Sequence, residues 1–240
     1  MFRRAHRVAA LAAGLLAAGC ASSPPPGTAQ PTGPNRLTDA EVRSGWQLLF
    51  DGTTTSGWHN YGKPGMVEGW TAIDGALVGT QGSGDLMTNR QFDSFELELD
   101  WKLRTGGNSG IFYWAHEASE QVYQNAPEYQ ILDNVAFANG LTPLTAAGSL
   151  YALYPSPIDL VKPIGEWNHS RIVTSGSKVE HWLNGVKVVE ADFDSKEMKA
   201  RVAASKFAEW PTFGKTRRGY IGLQDHGDTV WFRNIMIRER

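Results

Sequence analysis

The stretch SFELELDWKLR, residues 94–104, decides the fold because its polarity alternates with a period of two. Successive side chains of a β-strand point to opposite faces of the sheet, so this stretch has one apolar and one charged face. The two faces hold Phe95, Leu97, Leu99, Trp101 and Leu103 on one side and Glu96, Glu98, Asp100, Lys102 and Arg104 on the other. This pattern predicts a half-buried strand of an antiparallel sheet.

Turn signals on both sides of this strand predict further antiparallel pairs. WTAIDGALV turns at Asp74-Gly75 and VEHWLNGVKVV turns at Asn184-Gly185, and both pairs tolerate the positive φ of a type I′ hairpin turn. Additional strands are predicted at 46–50, 110–115, 127–132, 168–174, 219–224 and 229–238. So many short strands predict an all-β fold, a two-sheet antiparallel β-sandwich of the jelly-roll type.

Two segments break the strand pattern and predict short helices. Residues 37–45 begin with Thr38 and Glu41 at capping-box spacing. Residues 194–207 begin with a capping Asp-Ser pair and continue with apolar residues at roughly helical spacing. We therefore expect one or two short helices beside the sheets.

Composition predicts one domain that does not bind nucleic acid. A chain of 240 residues with 41% hydrophobic residues can bury one substantial core. The 23 lysines and arginines nearly balance the 25 aspartates and glutamates, and no dense basic run follows the leader. The 9 tryptophans suit either a core or a surface that stacks on carbohydrate.

The N-terminus predicts an exported lipoprotein. Residues 1–19 combine an arginine-rich start with an apolar stretch too short to span a bilayer, as in a signal peptide. Cys20, the only cysteine, follows directly and resembles the lipidated residue of a bacterial lipoprotein. Residues 20–36 are proline-rich and predict a tether to a domain at 37–240. We expect a periplasmic or outer-membrane protein anchored to the membrane by this lipid, with plain secretion as the alternative.

EYQILDN, residues 128–134, places two carboxylates and an amide in a predicted strand. Glu128 and Gln130 share one face, and a one-residue bulge would return Asp133 to that face. Two carboxylates so placed could divide the acid and base roles of a reaction or ligate a hard cation. The alternative is that Asp133 caps a turn and Glu128 is a solvated strand residue.

A second group lies in YIGLQDHGDTVWFRNIMIR, residues 220–238. Gln224 and His226 alternate onto one face before a turn, and Arg233 returns on the next strand. An imidazole between an amide and a guanidinium can act as a general base, although a lone histidine is more often structural. The position of His226 at a strand end beside a turn favours a functional role.

Two weaker candidates complete the set, and one histidine is set aside. Asn108 lies between glycines at the entrance to a strand and could bind a hydroxyl or carbonyl oxygen, although it also suits a turn. Tyr151 is predicted either at the rim of the site or in the core. His181 lies among apolar strand residues and is predicted to be a packing residue.

Taken together, the motifs resemble the 3-keto-disaccharide hydrolase domain family. The resemblance runs from Leu37 to Arg238, and its most specific part is EYQILDN combined with IGLQDHG and FRNI. The other matching segments are GWQLLFDG, WTAIDGALVG, GGNSGIFY, GSLYALY, GEWNHSRI, VEHWLNG and SKF. The resemblance implies a concanavalin A-like jelly roll. It also implies a 3-keto-glycoside substrate made by a partner glycoside 3-oxidoreductase.

The chemistry of such a substrate suggests roles for the candidate residues. A C3 ketone acidifies the C2 hydrogen, so removal of that hydrogen gives an enolate that expels the C1 substituent, after which water adds. We expect His226 as base and Glu128 and Asp133 as acid, with an exchange of roles between His226 and Glu128 left open. Arg233 with Asn108, or a divalent metal ion held by Glu128, Asp133 and His226, would stabilise the enolate. Gln130, Gln224 and Tyr151 would bind the carbohydrate.

Two rival functions fit the same residues. A retaining glycosidase on a similar jelly roll carries Glu, Asp and Glu at these strand offsets, but here Gln130 replaces the middle acid and the shorter Asp133 the last. Retention needs two carboxyl groups about 5 to 5.5 Å apart. The other rival is a non-catalytic sugar-binding lipoprotein, since the same fold also serves lectins.

Overall fold

The structure is a computed structural model and describes Met1 and residues 33–240. The predicted signal peptide, Cys20 and most of the predicted tether lie outside the described residues. Within the described part, no helix combines the length and hydrophobicity needed to cross a bilayer. Lipidation of Cys20 therefore stays a prediction.

Thirteen strands in the described part form two antiparallel sheets, which confirms the predicted all-β sandwich. Most predicted strands form, although the one predicted at 46–50 is reduced to two residues. The strands are β1 (Gln47–Leu48), β2 (Trp58–Asn60), β3 (Trp70–Ile73), β4 (Ala76–Gly79), β5 (Leu86–Phe92), β6 (Phe95–Leu103), β7 (Asn108–Ala115), β8 (Glu128–Leu132), β9 (Asn168–Ser175), β10 (Lys178–Leu183), β11 (Val186–Asp192), β12 (Gly219–Leu223) and β13 (Val230–Glu239).

The two sheets differ in size, and the smaller one carries the EYQIL strand. The eight-stranded sheet runs β11-β10-β9-β6-β13-β4-β3, and β1 also pairs with β13. The five-stranded sheet runs β2-β5-β12-β7-β8. The EYQIL strand β8 therefore lies at one edge of the smaller sheet, next to β7 and one strand away from β12.

The alternating strand β6 performs the role that its sequence predicts. The side chains of Phe95, Leu97, Leu99, Trp101 and Leu103 are all buried in the main core. Each buried apolar side chain of this size stabilises the fold by roughly 1.5 to 3 kcal/mol relative to its exposure. The opposite face carries charge, and its most buried member, Glu96, accepts hydrogen bonds from Arg171 and Arg238.

The two predicted hairpin turns form with the expected backbone. Asp74 and Gly75 have φ of 50° and 76° between β3 and β4, and Asn184 and Gly185 have φ of 48° and 85° between β10 and β11. Positive φ at both central residues defines a type I′ turn, which matches the right-handed twist of the strands. Both turn predictions are confirmed.

Both predicted helices form and are capped as expected. In α1 (Asp39–Arg43), Thr38 and Glu41 make the reciprocal capping box. In α2 (Lys196–Ala203), the Ser195 hydroxyl accepts the N–H of Met198. Among residues 33–240, three short 3₁₀ segments lie in the loops, at Val122–Gln124, Ile158–Leu160 and Lys206–Glu209.

The folded domain begins before the predicted boundary at residue 37. The backbone N–H of Asn35 donates to Oδ1 of Asn234 at 2.7 Å, and the N–H of Asn234 donates to Oδ1 of Asn35 at 2.8 Å. The Asn35 side chain also donates to the carbonyl of Gly75 at 2.7 Å. These bonds attach the end of the predicted tether to β13 and to the first hairpin.

The bulge predicted in β8 is wrong. Strands β7 and β8 pair in regular register, from Asn108 opposite Leu132 to Phe112 opposite Glu128. A bulge occurs in β7 instead, against β12, where Trp114 has φ of 55°. Since opposite residues share a face, regular pairing keeps Glu128 and Gln130 on the outer face of the five-stranded sheet.

Candidate active site

Polar side chains surround a cavity of about 220 Å³ on the outer face of the five-stranded sheet. A larger cavity of about 380 Å³ lies beside α2, but the carboxylate that lines it, Asp194, is paired with Arg217 at 2.9 Å. The smaller cavity is lined by Asp85, Asn108, Gln121, Tyr123, Glu128, Gln130, Tyr151, Lys206, Gln224, Asp225 and His226. Because titratable groups are concentrated there, we place the candidate active site in the smaller cavity.

The structure brings together most of the predicted site residues in this cavity. Strand β8 supplies the carboxyl and amide of its outer face, and the chain just after β12 supplies the second group. The backbone N–H of Tyr151 donates to the carbonyl of Glu128 at 3.0 Å, which places the tyrosine beside β8. The predicted residues that line the cavity are Asn108, Glu128, Gln130, Tyr151, Gln224 and His226.

Asp133 is not part of this cavity and caps a turn, which is the alternative that its sequence left open. Its Oδ1 accepts the N–H groups of Val135 and Ala136 at 3.1 and 3.2 Å. Its Oδ2 accepts the N–H of Gly106 at 2.9 Å. The carboxylate is 2% exposed and its oxygens are engaged with the backbone, so its prediction as a catalytic acid was wrong.

Arg233 is also outside the site. It lies on β13 in the eight-stranded sheet, where its Nε is 3.3 Å from Oδ2 of Asp100 and its guanidinium stacks 4.1 Å from the ring of Trp167. Those contacts are on the outer face of that sheet, since the neighbouring Phe232 is buried in the core. Two sheets thus separate Arg233 from His226, and the predicted pairing of the two was wrong.

The predicted cation ligands do not converge either. Asp133 is committed to backbone N–H groups, so it cannot join Glu128 and His226 around one ion. Across residues 33–240, no group of three His, Cys, Asp or Glu side chains is arranged to hold a metal ion. The three-residue metal site predicted from sequence does not fit this structure.

Glu128 is the most perturbed carboxyl in the cavity. It is 8% exposed, and burial raises its pKa from 4.5 to about 8 because water no longer stabilises the carboxylate. The Lys206 ammonium opposes this increase and the Asp85 carboxylate adds to it. At neutral pH the Glu128 carboxyl is therefore largely protonated, which is the state of a general acid.

Gly110 leaves the space that the Glu128 side chain occupies. A Cβ at Gly110 would lie 2.7 Å from Oε1 and 3.0 Å from Cγ of Glu128. Both distances are shorter than a normal contact, so any larger residue must displace the carboxyl. Gly110, the third glycine of GGNSGIFY, is therefore required by the close approach between β7 and the side chain of Glu128.

We expect Gly110→Ala to lower kcat of the reaction in which Glu128 takes part by about 10- to 100-fold, because the added methyl group displaces the Glu128 carboxyl and catalytic groups must be positioned closely. The fold should survive, since the group that must move is the end of a flexible side chain. The measurements are kcat and the melting temperature. Glu128→Asp, which shortens the acid, is combined with Gly110→Ala as the control: losses that simply multiply in the double variant would contradict direct contact.

His226 lies at the exposed rim of the cavity on a turn fixed to a neighbouring loop. The Asp225 carboxylate accepts the N–H groups of Gly84 and Gly227 at 2.8 and 2.9 Å, and Asp85 accepts the N–H of Asp225 at 2.9 Å. Burial, together with repulsion from Asp225, raises the pKa of Asp85 to about 6. These bonds hold His226 in place beside the cavity without burying it.

Two amide oxygens in the site have no hydrogen-bond partner within the described residues. They are Oδ1 of Asn108 and Oε1 of Gln224, and both atoms are buried. The Gln224 side chain is 9% exposed, and its backbone carbonyl is fixed by the Ser109 hydroxyl at 2.8 Å. A buried acceptor without a donor is costly, so both oxygens suit a ligand rich in O–H donors.

Several residues of this cavity were not predicted from the sequence. Lys206 places its ammonium 4.6 Å from the ring of Tyr151 and 5.6 Å from that of Tyr123. Lys206 lies in the SKF segment, which is one of the segments that resemble the family, but this segment by itself does not indicate a role for the lysine. Asp85 and Asp225 show no local pattern, because only the pairing of β5 with β12 brings them together.

The jelly roll and this site define a carbohydrate-processing hydrolase, and comparisons with known proteins support that class. The model of the 3-keto-alpha-glucoside-1,2-lyase-like domain matches residues 45–238. The match covers most of the chain, so the protein belongs to this family. The resemblance predicted from the sequence motifs is confirmed.

Relatives with names or structures agree with this assignment. A 3-keto-disaccharide hydrolase from Bacteroides thetaiotaomicron is 38% identical over 226 residues, covering 81% of this chain and 78% of that protein. A crystal structure of a candidate glycosyl hydrolase from Parabacteroides distasonis is 33% identical, with a TM-score of 0.80, and covers 87% of this chain and 100% of that one. Another from the same organism is 30% identical, with a TM-score of 0.63, over 81% of this chain and 99% of the other.

Proposed function

We propose that the protein cleaves 3-keto-glycosides by elimination and hydration. The observation that carries the proposal is a buried carboxyl, Glu128, with its pKa raised to about 8 beside two buried amide oxygens that await O–H donors. The amide oxygens suit a sugar and the carboxyl suits an acid that protonates a departing oxygen. The named activity of the Bacteroides relative supports the 3-keto form of the sugar.

The reaction has two balanced stages. A base removes the proton from C2, and the C2–H electrons form an enolate with the C3 ketone. The enolate then expels the C1 substituent, whose oxygen keeps the bonding electrons and takes a proton from an acid. Water adds across the resulting C1–C2 double bond, with its oxygen at C1 and its proton at C2, so the net change is hydrolysis.

We assign the acid to Glu128 and the base to His226. A carboxyl with a pKa of about 8 still holds its proton at neutral pH and can give it to the leaving oxygen. His226 is at the rim, where an imidazole can take a proton and then release it to solvent. Asp85, whose pKa is raised to about 6, lies in the same cavity and is the alternative base.

The developing enolate needs a positive or hydrogen-bonding partner, and Lys206 takes the role predicted for Arg233. Its ammonium lines the cavity and is close enough to Glu128 to lower the pKa of that carboxyl. Asn108 and Gln224 line the same cavity and would bind hydroxyl groups of the sugar. Fixed charge directed at a developing oxyanion is often the largest single contribution to catalysis.

Strand β8 lacks the carboxyl pair that a retaining glycosidase carries on this strand. Retention needs a second carboxyl about 5 to 5.5 Å from the first, as nucleophile. In β8 the middle acid is replaced by Gln130, and Asp133 is occupied by backbone N–H groups. This strand therefore provides one carboxyl to the cavity, which is enough for the acid of an elimination.

The proposed substrate implies an earlier reaction. The C3 ketone has to be installed by an oxidoreductase that oxidises a glycoside at C3, so that class of reaction precedes this one.

The predicted lipid on Cys20 would hold the domain beside a membrane outside the cytoplasm. Cell fractionation tests this anchor. We expect the chain to be lipid-modified and to be found in the membrane fraction, and we expect Cys20→Ala to lose both the lipid and the membrane association.

The test of the proposed reaction compares a glucoside with its 3-keto derivative in deuterated water. We expect release of the C1 substituent from the keto compound alone, with one solvent deuterium at C2 of the product sugar. Mass spectrometry and NMR of the product measure both. Equal release from the unoxidised glucoside would show a glycosidase, and binding of either sugar without turnover would show a carbohydrate-binding protein.

A further inference from the structure

A second cavity of about 190 Å³ adjoins the candidate active site. The side chains of Asn108, Gln130 and Tyr151 line both cavities and form the boundary between them. The two cavities, of about 220 and 190 Å³, are similar in volume and suit two rings of similar size. The proposed reaction joins two such groups, the 3-keto sugar and its C1 substituent, across the bond that breaks.

The two cavities differ in charge. The first is lined by carboxylates, a lysine and a histidine. The second is lined by apolar and neutral polar side chains and by no charged one. Besides the three shared residues, its lining includes Leu132, Phe137, Leu141 and Thr145. Proton transfer therefore belongs to the first cavity, and the second offers no group that would compensate a charged ligand.

The outer wall of the second cavity is a loop held at its start by Asp133, the predicted catalytic acid that caps a turn. Asp133 caps the turn that begins this loop, and its carbonyl accepts the N–H of Phe137 at 3.2 Å. The side chain of Asn134 bonds to the backbone of Ala147 and Ile158, at 3.0 and 2.8 Å. Phe137 is thus held beside the cavity, while 39% of the residue's surface stays exposed.

We propose that this second cavity is the aglycone subsite and that it takes an uncharged leaving group with an apolar face, such as a second hexose. The inference rests on the proposed function for the position of the bond that breaks. Phe137 stacks on the C–H face of the ring, which is how aromatic side chains bind sugars and other rings. Asn108, Gln130 and Tyr151 lie at the boundary beneath the bond, and the unpartnered Oδ1 of Asn108 accepts a hydroxyl.

The test measures kcat/KM of the full chain on a neutral 3-keto-disaccharide and on the methyl 3-keto-glucoside, which leaves the subsite empty. In Phe137→Ala we expect the ratio of the two values, disaccharide over methyl glycoside, to fall about tenfold. Leu141→Ala should lower the same ratio and serves as a second variant if the first is unstable. Val135→Ala is the matched control: this side chain lies on the same loop, is 84% exposed and does not line the cavity.

A third substrate, a 3-keto-disaccharide whose second ring carries a carboxylate, should be turned over at least tenfold less efficiently than the neutral one. An unchanged substrate ratio in both Phe137→Ala and Leu141→Ala would overturn the subsite, even with the proposed reaction intact. Conversely, if the protein cleaves only unoxidised glycosides, the proposed reaction fails. A loss of disaccharide preference in Phe137→Ala on those substrates would still support the subsite.

Discussion

Glu128→Gln is expected to lower kcat on a 3-keto-glycoside about 10²- to 10⁴-fold, because an amide cannot give a proton to the departing C1 oxygen. Glutamine keeps the size and polarity of the side chain, so KM should change little. The effect should shrink when the leaving group is a good one, such as a nitrophenolate, which departs without a proton. Steady-state rates on an alkyl and a nitrophenyl 3-keto-glucoside measure both expectations.

The pH profile gives a second measurement on the same residue. If Glu128 acts in its protonated form, kcat/KM of the wild type falls above about pH 8, because kcat/KM reports ionisation in the free enzyme, where the pKa of this carboxyl is raised to about 8. The residual activity of Glu128→Gln should lack that descending limb. A profile that instead rises through pH 8 would contradict the role of Glu128 as acid and would assign it the role of base.

The raised pKa of Glu128 also predicts how stability depends on pH. The unfolded carboxyl ionises near pH 4.5 and the folded one near pH 8, so the folded state holds an extra proton between those values. The stability that this proton provides is full below pH 4.5 and is lost as pH rises through 8. Glu128→Gln escapes that loss, and between pH 5 and 9 its melting temperature should fall by roughly 10 °C less than that of the wild type. Parallel falls would contradict the buried carboxyl.

The fold follows from signals that are local in sequence. The alternation in β6 determines which face meets the core, and the Asp74-Gly75 and Asn184-Gly185 pairs determine two hairpins. The capping box at Thr38 is complete within four residues. Each signal needs only neighbours in sequence, which is why the sequence predicted these elements together with the sandwich they form.

The site was predicted less completely because it depends on which distant segments the sheets bring together. Nothing in the sequence shows that Arg233 belongs to the other sheet, since β12 and β13 are consecutive strands that separate into different sheets. The offset of Asp133 from Glu128 fitted both a bulge, which we predicted, and a cap, and the hydrogen bonds from Gly106 and Val135 show the cap. Lys206 comes from a 3₁₀ segment without periodicity.

His226→Ala is expected to lower kcat about 10²- to 10⁴-fold on the same substrates, because it removes the proposed base. His226 is exposed on a turn, so its loss should leave the melting temperature nearly unchanged. Added imidazole should restore part of the activity, since the rim is open to solvent. The matched control is His169→Ala, which removes a histidine bonded to Asp100 in the other sheet and should keep the wild-type rate.

Isotope exchange separates the roles of the two residues. His226→Ala should lose exchange of the C2 hydrogen with deuterated water together with turnover, because no enolate forms without the base. Glu128→Gln should keep that exchange while losing C1–O cleavage, since the enolate forms but its leaving group lacks a proton. The opposite pair of results would exchange the roles of His226 and Glu128. If His226→Ala kept both C2 exchange and turnover, the base would be assigned to Asp85 instead, whose pKa of about 6 suits proton removal near neutrality.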